Sequence, residues 1–272
     1  YSPYICLIMQ FITLLSDLGD YSAGVAKTKS ILMQELPDMK VIDVTHNIYP
    51  FYLQEAAYLL AASTRDFPGS TYHIALFDLY YDKVPQLVLA EAEGQYILAP
   101  DNGILPLALG SKISRTWSCF EMKENMSLSS WVKAIAGTIK QLNGNDPAHA
   151  GLQEYELQNA PASSRAVIYP DHAECYVIHI DRYENIVLNI TKEEFEAAAN
   201  GRPFSIDLIR NETITTISEH YNSVRPGEKL CRFNSAGYLE VAINKGNASK
   251  LFGMKVIRER HKPHNTIKIN FG

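Results

Sequence analysis

The chain has 272 residues, 46% of them hydrophobic and 20% charged, a composition that excludes a disordered polymer and suffices for one or two full apolar cores. Its formal net charge of -5 is mild and no run of Lys or Arg breaks the pattern, so neither a nucleic-acid face nor an anionic-membrane patch is expected, and a small-molecule ligand is. Four cysteines, Cys6, Cys119, Cys175 and Cys231, stand far apart without a CxxC pair, which argues against a zinc knuckle or dithiol centre and for buried thiols in a reducing, cytoplasmic compartment.

The opening residues, YSPYICLIMQFITLL, hold an apolar run too short to span a bilayer and lack the basic start and small-residue cleavage site of a signal peptide. They read as a buried first strand. MQFITLLSDLG is a complete strand followed by a turn, which makes Met9 the expected natural start and residues 1 to 8 an upstream extension. From Phe11 to about Leu142, short apolar runs alternate with helical stretches: FITLLSD, AGVAKTKSILMQEL, KVIDVTH, LQEAAYLLAASTRDF and YHIALFD. Such alternation predicts crossover units on a largely parallel central sheet, an α/β domain over residues 1–150. QLVLAEAEGQYIL reads as a hairpin turning at Glu93-Gly94, and WVKAIAGTIKQL as a helix.

Residues 143–165 are rich in turn formers and lack periodicity, so a linker is expected there. Beyond it, over residues 166–272, the pattern changes to short alternating strands: AVIYPDHAECYVIHID, ENIVLNI, RPFSIDLI, EKLCRFN, YLEVAIN and NTIKINF. TKEEFEAAA, opened by a capping box from Thr191 to Glu194, and NASKLFG read as helices. A small antiparallel β-barrel or sandwich is the expected carboxy-terminal domain.

The predicted first strands end in Asp17, in Thr45 with His46, and in Asp78. In open α/β sheets the ligand crevice lies outside the carboxyl ends of the strands, so these side chains are placed to meet a ligand. Taken singly the signals are weak: Asp17 in SDLGD serves equally well as a helix cap or an Asx-turn, and APDNG at 99–103 is by itself a turn.

In their fixed order, SDLG at 16–19, THNIYP at 45–50, FPGSTYHIALFD at 67–78 and PDNG at 100–103 resemble the amino-terminal domain of the S-adenosylmethionine hydroxide adenosyltransferases and the related fluorinases and chlorinases. IDRYENIVLNI at 180–190 and RFNSAGYLEVAINKGNASKLFG at 232–253 resemble the carboxy-terminal motifs of the same family. The resemblance covers nearly the whole chain from Met9 and implies a homotrimer that binds S-adenosylmethionine or adenosine, with S-adenosylmethionine as substrate, no separate cofactor and no metal. Asp17 matches the family's ribose-binding acid. Asp181 matches the residue that takes the methionine ammonium, Asn185 the amide on the adenine edge, Tyr221 the aromatic that stacks on adenine, and Ser235 a hydroxyl at the methionine head. The backbone around Asn244 and Lys245 is expected to complete the adenine contacts. Each also has a plain structural reading: turn residue for Asp181 and Asn185, core filler for Tyr221, loop hydroxyl for Ser235.

The family's reaction places hydroxide on the ribose C5' and is associated with an Asp, Arg and His set. Asp78 stands at the aspartate. The segment that follows reads LYYDKVPQ, with Pro85 or Gln86 where the arginine belongs, and Ser129 falls at the histidine position. Tyr80 and Tyr81 replace glycines, the first turn is about two residues shorter than the family's, and only 22 residues separate Asp78 from Asp101, which leaves no room for the halogenases' added loop. Lys83 is a candidate replacement cation, a tyrosine hydroxyl a candidate to orient the water, and His46 a further candidate base, although strand-end histidines are more often structural. Two readings follow: an adenosyltransferase that uses water or hydroxide, or a catalytically silent S-adenosylmethionine or adenosine binder.

Overall fold

The computed structural model describes residues 10–121, 123–142, 144–161, 164–208, 212–258 and 266–272. The expected start at Met9 and Cys6 lie outside them. The chain divides into two compact units, Tyr1–Ala160 and Pro161–Gly272.

The first unit runs β1 (Gln10–Ser16), α1 (Gly24–Glu35), β2 (Met39–Thr45), α2 (Leu53–Ser63), β3 (Tyr72–Leu76), β4 (Gln86–Ala92), β5 (Gln95–Pro100), α3 (Ile104–Ala108), β6 (Ile113–Glu121), α4 (Leu128–Leu142) and β7 (Gln153–Glu154). These strands form one seven-stranded sheet in the order β2-β1-β3-β5-β4-β6-β7. β2, β1, β3 and β5 are parallel, and β4, β6 and β7 extend the sheet antiparallel. The turn from β4 to β5 is the predicted Glu93-Gly94 pair, at φ 52° and 76°. Positive φ at both central residues matches the right-handed twist of the strands it joins.

Strand alternation divides the apolar side chains between two faces. Ile12, Leu14, Ile74, Leu76, Leu89 and Trp117 pack with Leu32 of α1 and with Trp131, Ile135 and Ile139 of α4. Leu15, Ala75, Val88, Ala90 and Ile97 pack on the opposite face with Ala56 and Leu60 of α2 and with Ile104 and Leu105 of α3. The result is an α/β sandwich of three layers. A polar chain is buried with it: Thr13 Oγ1 to His73 Nδ1 at 2.7 Å, His73 Nε2 to Gln95 Oε1 at 3.0 Å, and Gln95 Nε2 donating to Phe67 O at 2.7 Å. Burial pulls His73 down to about 4, so it is a neutral structural histidine at pH 7.

The second unit runs β8 (Val167–Ile168), β9 (His172–Cys175), β10 (Val177–Ile180), β11 (Ile186–Thr191), α5 (Lys192–Ala199), β12 (Phe204–Leu208), β13 (Glu212–Ile214), β14 (Lys229–Phe233), β15 (Tyr238–Ile243), α6 (Ala248–Phe252) and β16 (Ile267–Phe271). Its strands form two antiparallel sheets, β10-β11-β15-β14 and β13-β12-β16-β9-β8, and not one closed sheet. Both feed one core, with Leu188, Leu239 and Val241 from the first and Ala173, Ile206 and Ile269 from the second. The capping box opens α5: Glu194 N–H donates to Thr191 Oγ1 at 3.2 Å, and Thr191 N–H donates to Glu194 Oε2 at 2.9 Å. Cys119, Cys175 and Cys231 are free thiols. Among the described residues no helix is long and apolar enough to cross a membrane.

Candidate functional site

β1, β2 and β3 deliver Asp17, His46 and Asp78 just past their last ladder residues, at the edge where open sheets take ligands. Asp17 N–H donates to Leu76 O at 3.3 Å. Asp78 N–H donates to Asp17 Oδ2 at 3.1 Å, so one carboxylate ties two neighbouring strand ends. Burial holds the Asp17 carboxyl above its ordinary range, the Asp78 N–H works against that shift, and repulsion from the Asp78 carboxylate adds to it. Asp78 itself sits at φ 45°, the left-handed region that L residues adopt at a cost and that recurs at functional sites.

His46 is 6% exposed, with Nδ1 2.8 Å from Ser16 Oγ and Nε2 3.3 Å from Asp43 Oδ1. Its carbonyl accepts the Gly19 N–H at 2.7 Å. It fastens the first turn to β2, which is a structural role. The PDNG turn is also occupied with structure: Asp101, 1% exposed, accepts the Tyr155 hydroxyl at 2.8 Å and the Gln158 N–H at 3.1 Å.

The segment after Asp78 lines a cavity of about 710 Å³ with Tyr80, Tyr81, Lys83 and Pro85, closed from the other side by Lys123, Ser127 and Trp131. Ser127 Oγ accepts the Ser130 N–H at 3.2 Å where α4 begins. Trp131 leaves its buried indole Nε1 without a hydrogen-bond partner. Neither Lys83 nor Lys123 forms an ion pair among the described residues. Of the two positions matched to the family's arginine, only Pro85 lines this cavity. Gln86 Nε2 is spent on the sheet, donating to Leu87 O, Ser118 Oγ and Phe120 O at 2.9–3.0 Å. Ser129 lies in the first turn of α4 but is not among the cavity's lining residues.

In the second unit the β10–β11 turn is built on Asp181. Its Oδ1 accepts the Tyr183 N–H at 2.8 Å and the Asn185 N–H at 2.9 Å, and its Oδ2 accepts Asn185 Nδ2 at 3.0 Å. A carboxylate has about four lone-pair sites, so three such bonds fix its orientation and leave capacity for one further donor. One of the two Asn185 Nδ2 hydrogens is spent on Asp181, which leaves the second N–H and Oδ1 to donate and accept. Tyr221, in a short turn at Tyr221–Ser223, donates its hydroxyl to Glu240 Oε1 at 2.8 Å, and the Arg232 guanidinium lies 4.6 Å from the centre of its ring. Burial, joined by Glu240, pushes the Tyr221 hydroxyl up to about 12. Burial also raises Glu240, with Asp181 close enough to add to the shift. Asp181, Tyr221 and Glu240 are thus one electrostatic cluster.

The remaining sequence-matched residues are placed differently. Strand register runs Ile186 against Val241 and Thr191 against Tyr238, so the Asp181 turn and Asn244 share one end of the sheet while Ser235 sits at the other, exposed at the tip of the β14–β15 hairpin. Asn234 Oδ1 holds that tip by accepting the Ala236 and Tyr238 N–H groups at 3.0 and 3.1 Å. Asn244 is 7% exposed and pins the preceding loop: Nδ2 donates to Val224 O at 2.7 Å, its N–H to Glu228 O at 3.0 Å, and its carbonyl accepts the Gly227 N–H at 2.7 Å. Lys245 is exposed at φ 54°. Gly246 follows because a β-carbon there would lie 2.5 Å from Ile243 Cγ2. Sequence reasoning missed Glu240, Arg232, Lys123 and Ser127. Glu240 alone carried a signal, as a charge inside the apolar run YLEVAI.

The chain belongs to the SAM hydroxide adenosyltransferase family: the family's N-terminal domain matches residues 12–140 and its C-terminal domain residues 175–260. A protein named (R)-S-adenosyl-L-methionine hydrolase from Methanocaldococcus jannaschii is 28% identical over 275 aligned residues, covering 93% of this chain and 95% of its own length. A protein of the same name from Thermus thermophilus is 27% identical, covering 91% and 97%. A fluorinase from an Actinoplanes species is 20% identical, covering 90% and 94%. The fold matches a solved structure of an uncharacterized conserved protein from Thermotoga maritima with a TM-score of 0.74 at 23% identity, over 95% of this chain and 99% of that one.

Proposed function

We propose that this protein binds S-adenosylmethionine and transfers its adenosyl group to water, giving adenosine and methionine. The observation that carries this reading is the Asp17–Asp78 pairing at adjacent strand ends, in a chain whose hydrolase relatives align over more than nine-tenths of its length. In the reaction a water oxygen forms a bond to ribose C5' as the C5'–sulfur bond breaks, its electron pair leaves on the methionine thioether, and one proton is released. Asp17 accepts the ribose hydroxyls, a charge-assisted contact worth about 1.5–3 kcal/mol per bond. Asp78 orients the water and takes its proton, and Lys83 supplies positive charge in place of the arginine. Asp181 receives the methionine ammonium, Asn185 and the Asn244–Lys245 backbone meet the adenine edge, and Tyr221 stacks on it, whereas Ser235, at the other end of the sheet, is left out of this site. The protein acts as a homotrimer. The relatives are named for the (R) epimer at sulfur, and we extend that preference to this chain.

One observation favours a second reading, a binder without turnover. Gln86 clasps the sheet and Ser129 is not among the residues lining the cavity, so neither takes up the work of the family's arginine or histidine.

The test is chromatography of each S-adenosylmethionine epimer incubated with excess protein. Equal release of adenosine and methionine, lost in Asp78→Ala, supports the hydrolase. Intact ligand recovered from the protein establishes the binder.

A further inference from the structure

We infer that Glu240 is a positioning residue that, together with Arg232, locks the Tyr221 ring as a one-faced platform for a purine. This rests on the reading of Tyr221 as the adenine partner. Glu240 and Arg232 are direct cross-strand partners on β15 and β14, so their side chains rise from the same face of the sheet. Leu239 and Val241 on either side of Glu240 point into the core of the unit, which turns Glu240 to the opposite face, where Tyr221 lies. Although that face is not the core, Glu240 is only 3% exposed.

A buried carboxylate is costly unless hydrogen-bonded and paired. Here the Tyr221 hydroxyl supplies the hydrogen bond at 2.8 Å and Arg232 the charge. The same two residues hold the ring at two points. Its hydroxyl is tethered to Glu240, and one face is covered by the guanidinium at 4.6 Å, a favourable cation–π distance. Tyr221 is nevertheless 39% exposed, so a held ring still presents surface to solvent. A flat aromatic ligand stacking on a ring already fixed does not have to immobilise it, and the ordering of one side chain corresponds to roughly a two- to tenfold change in affinity. The Arg232 positive charge also draws electron density from the ring, which favours an electron-rich purine over an aliphatic group on the open face.

Adenosine affinity is measured by calorimetry for the wild type, Glu240→Ala, Glu240→Gln, Tyr221→Phe and the Tyr221→Phe/Glu240→Ala double variant. Glu240→Ala is expected to weaken binding about five- to tenfold and Glu240→Gln to recover most of it, because the amide oxygen accepts the same hydroxyl. Tyr221→Phe is expected to match Glu240→Ala, with no further loss in the double variant. Losses that multiply in the double variant, or a Glu240→Gln as weak as Glu240→Ala, overturn the proposal. The ring tether is read independently of ligand from the Tyr221 Cζ resonance of ¹³C-tyrosine protein, which Glu240→Ala should shift, and an unmoved resonance overturns it. A wild type that binds no purine overturns the S-adenosylmethionine reading and the platform with it, whereas tight wild-type binding indifferent to Glu240→Ala overturns the platform alone.

Discussion

Asp17 Oδ2 accepts the backbone N–H of Asp78 at 3.1 Å, so the acid at the end of β1 is held in place by the peptide that carries the acid at the end of β3. The Asp17 carboxylate is therefore coupled to the Asp78 backbone, and under the proposed function each acid has a distinct signature on substitution.

For Asp17 the signature is a trade between stability and binding. Its folded value is raised, so the stabilising state is the protonated one, fully present below the ordinary carboxylate range and lost as pH rises through the folded value. At pH 7 the ionised group works against folding. We expect Asp17→Asn to raise the thermal midpoint at pH 7 by a few degrees and to leave it unchanged near pH 3, while Asp17→Ala weakens adenosine binding by roughly 10- to 100-fold in calorimetry. A destabilised Asp17→Asn with full affinity would remove Asp17 from the site.

Asp78 is expected to show the same opposition through its backbone. At φ 45° a glycine is better accommodated, and Asp78→Gly should gain about 0.5–1 kcal/mol in urea unfolding. The same variant should release no adenosine in hours. Retained turnover would exclude Asp78 from catalysis.

Asp181 organises its turn, and the proposed function also gives it the ligand's ammonium. Asp181→Ala deprives three donors of their acceptor and should both loosen the β10–β11 turn and abolish S-adenosylmethionine binding. Asp181→Asn keeps an acceptor for the backbone N–H groups, so the fold should survive while affinity drops about 10- to 100-fold. Unchanged calorimetric affinity in both variants would sink the assignment.

His73 gives a pH dependence unconnected with the ligand. Its folded value is depressed to about 4, so its contribution is present above the unfolded value near 6.5 and is lost as pH falls from there toward 4. The loss is on the order of 3 kcal/mol. Urea unfolding at pH 7 and pH 4.5 should show a steeper decline for the wild type than for His73→Gln, and parallel declines would contradict the buried neutral histidine.

The fold was legible wherever periodicity was strong. β1, α1, β2, α2 and β3, the β4–β5 hairpin and most of the second unit's strands follow from alternation and turn residues. β6 escaped notice because Arg115, Thr116 and Ser118 dilute its apolar face, although Trp117 is fully buried. α3 is five residues long, below the length at which helical periodicity shows, and β13 and β7 are shorter still. At the candidate site, motif order singled out Asp17, Asp78, Asp181, Asn185 and Tyr221 for the proposed roles. Glu240 showed in the sequence only as a charge inside the apolar run YLEVAI, and its partners came into view when register set it opposite Arg232 and its carboxylate met the Tyr221 hydroxyl.

β6 spans nine residues, and among the described residues its outer edge pairs with β7 at Trp117 and Ser118 and with Tyr155, whose N–H donates to Thr116 O at 3.0 Å. That strap is anchored at Asp101 through the Tyr155 hydroxyl and the Gln158 N–H. A recombinant fragment ending at Leu142 would bare a long run of unpaired backbone donors and acceptors, the template for edge-to-edge aggregation. Ending it beyond Gln158 keeps the strap and its anchor, so the usable cloning boundary for the first unit is fixed by two residues of strand and one buried aspartate.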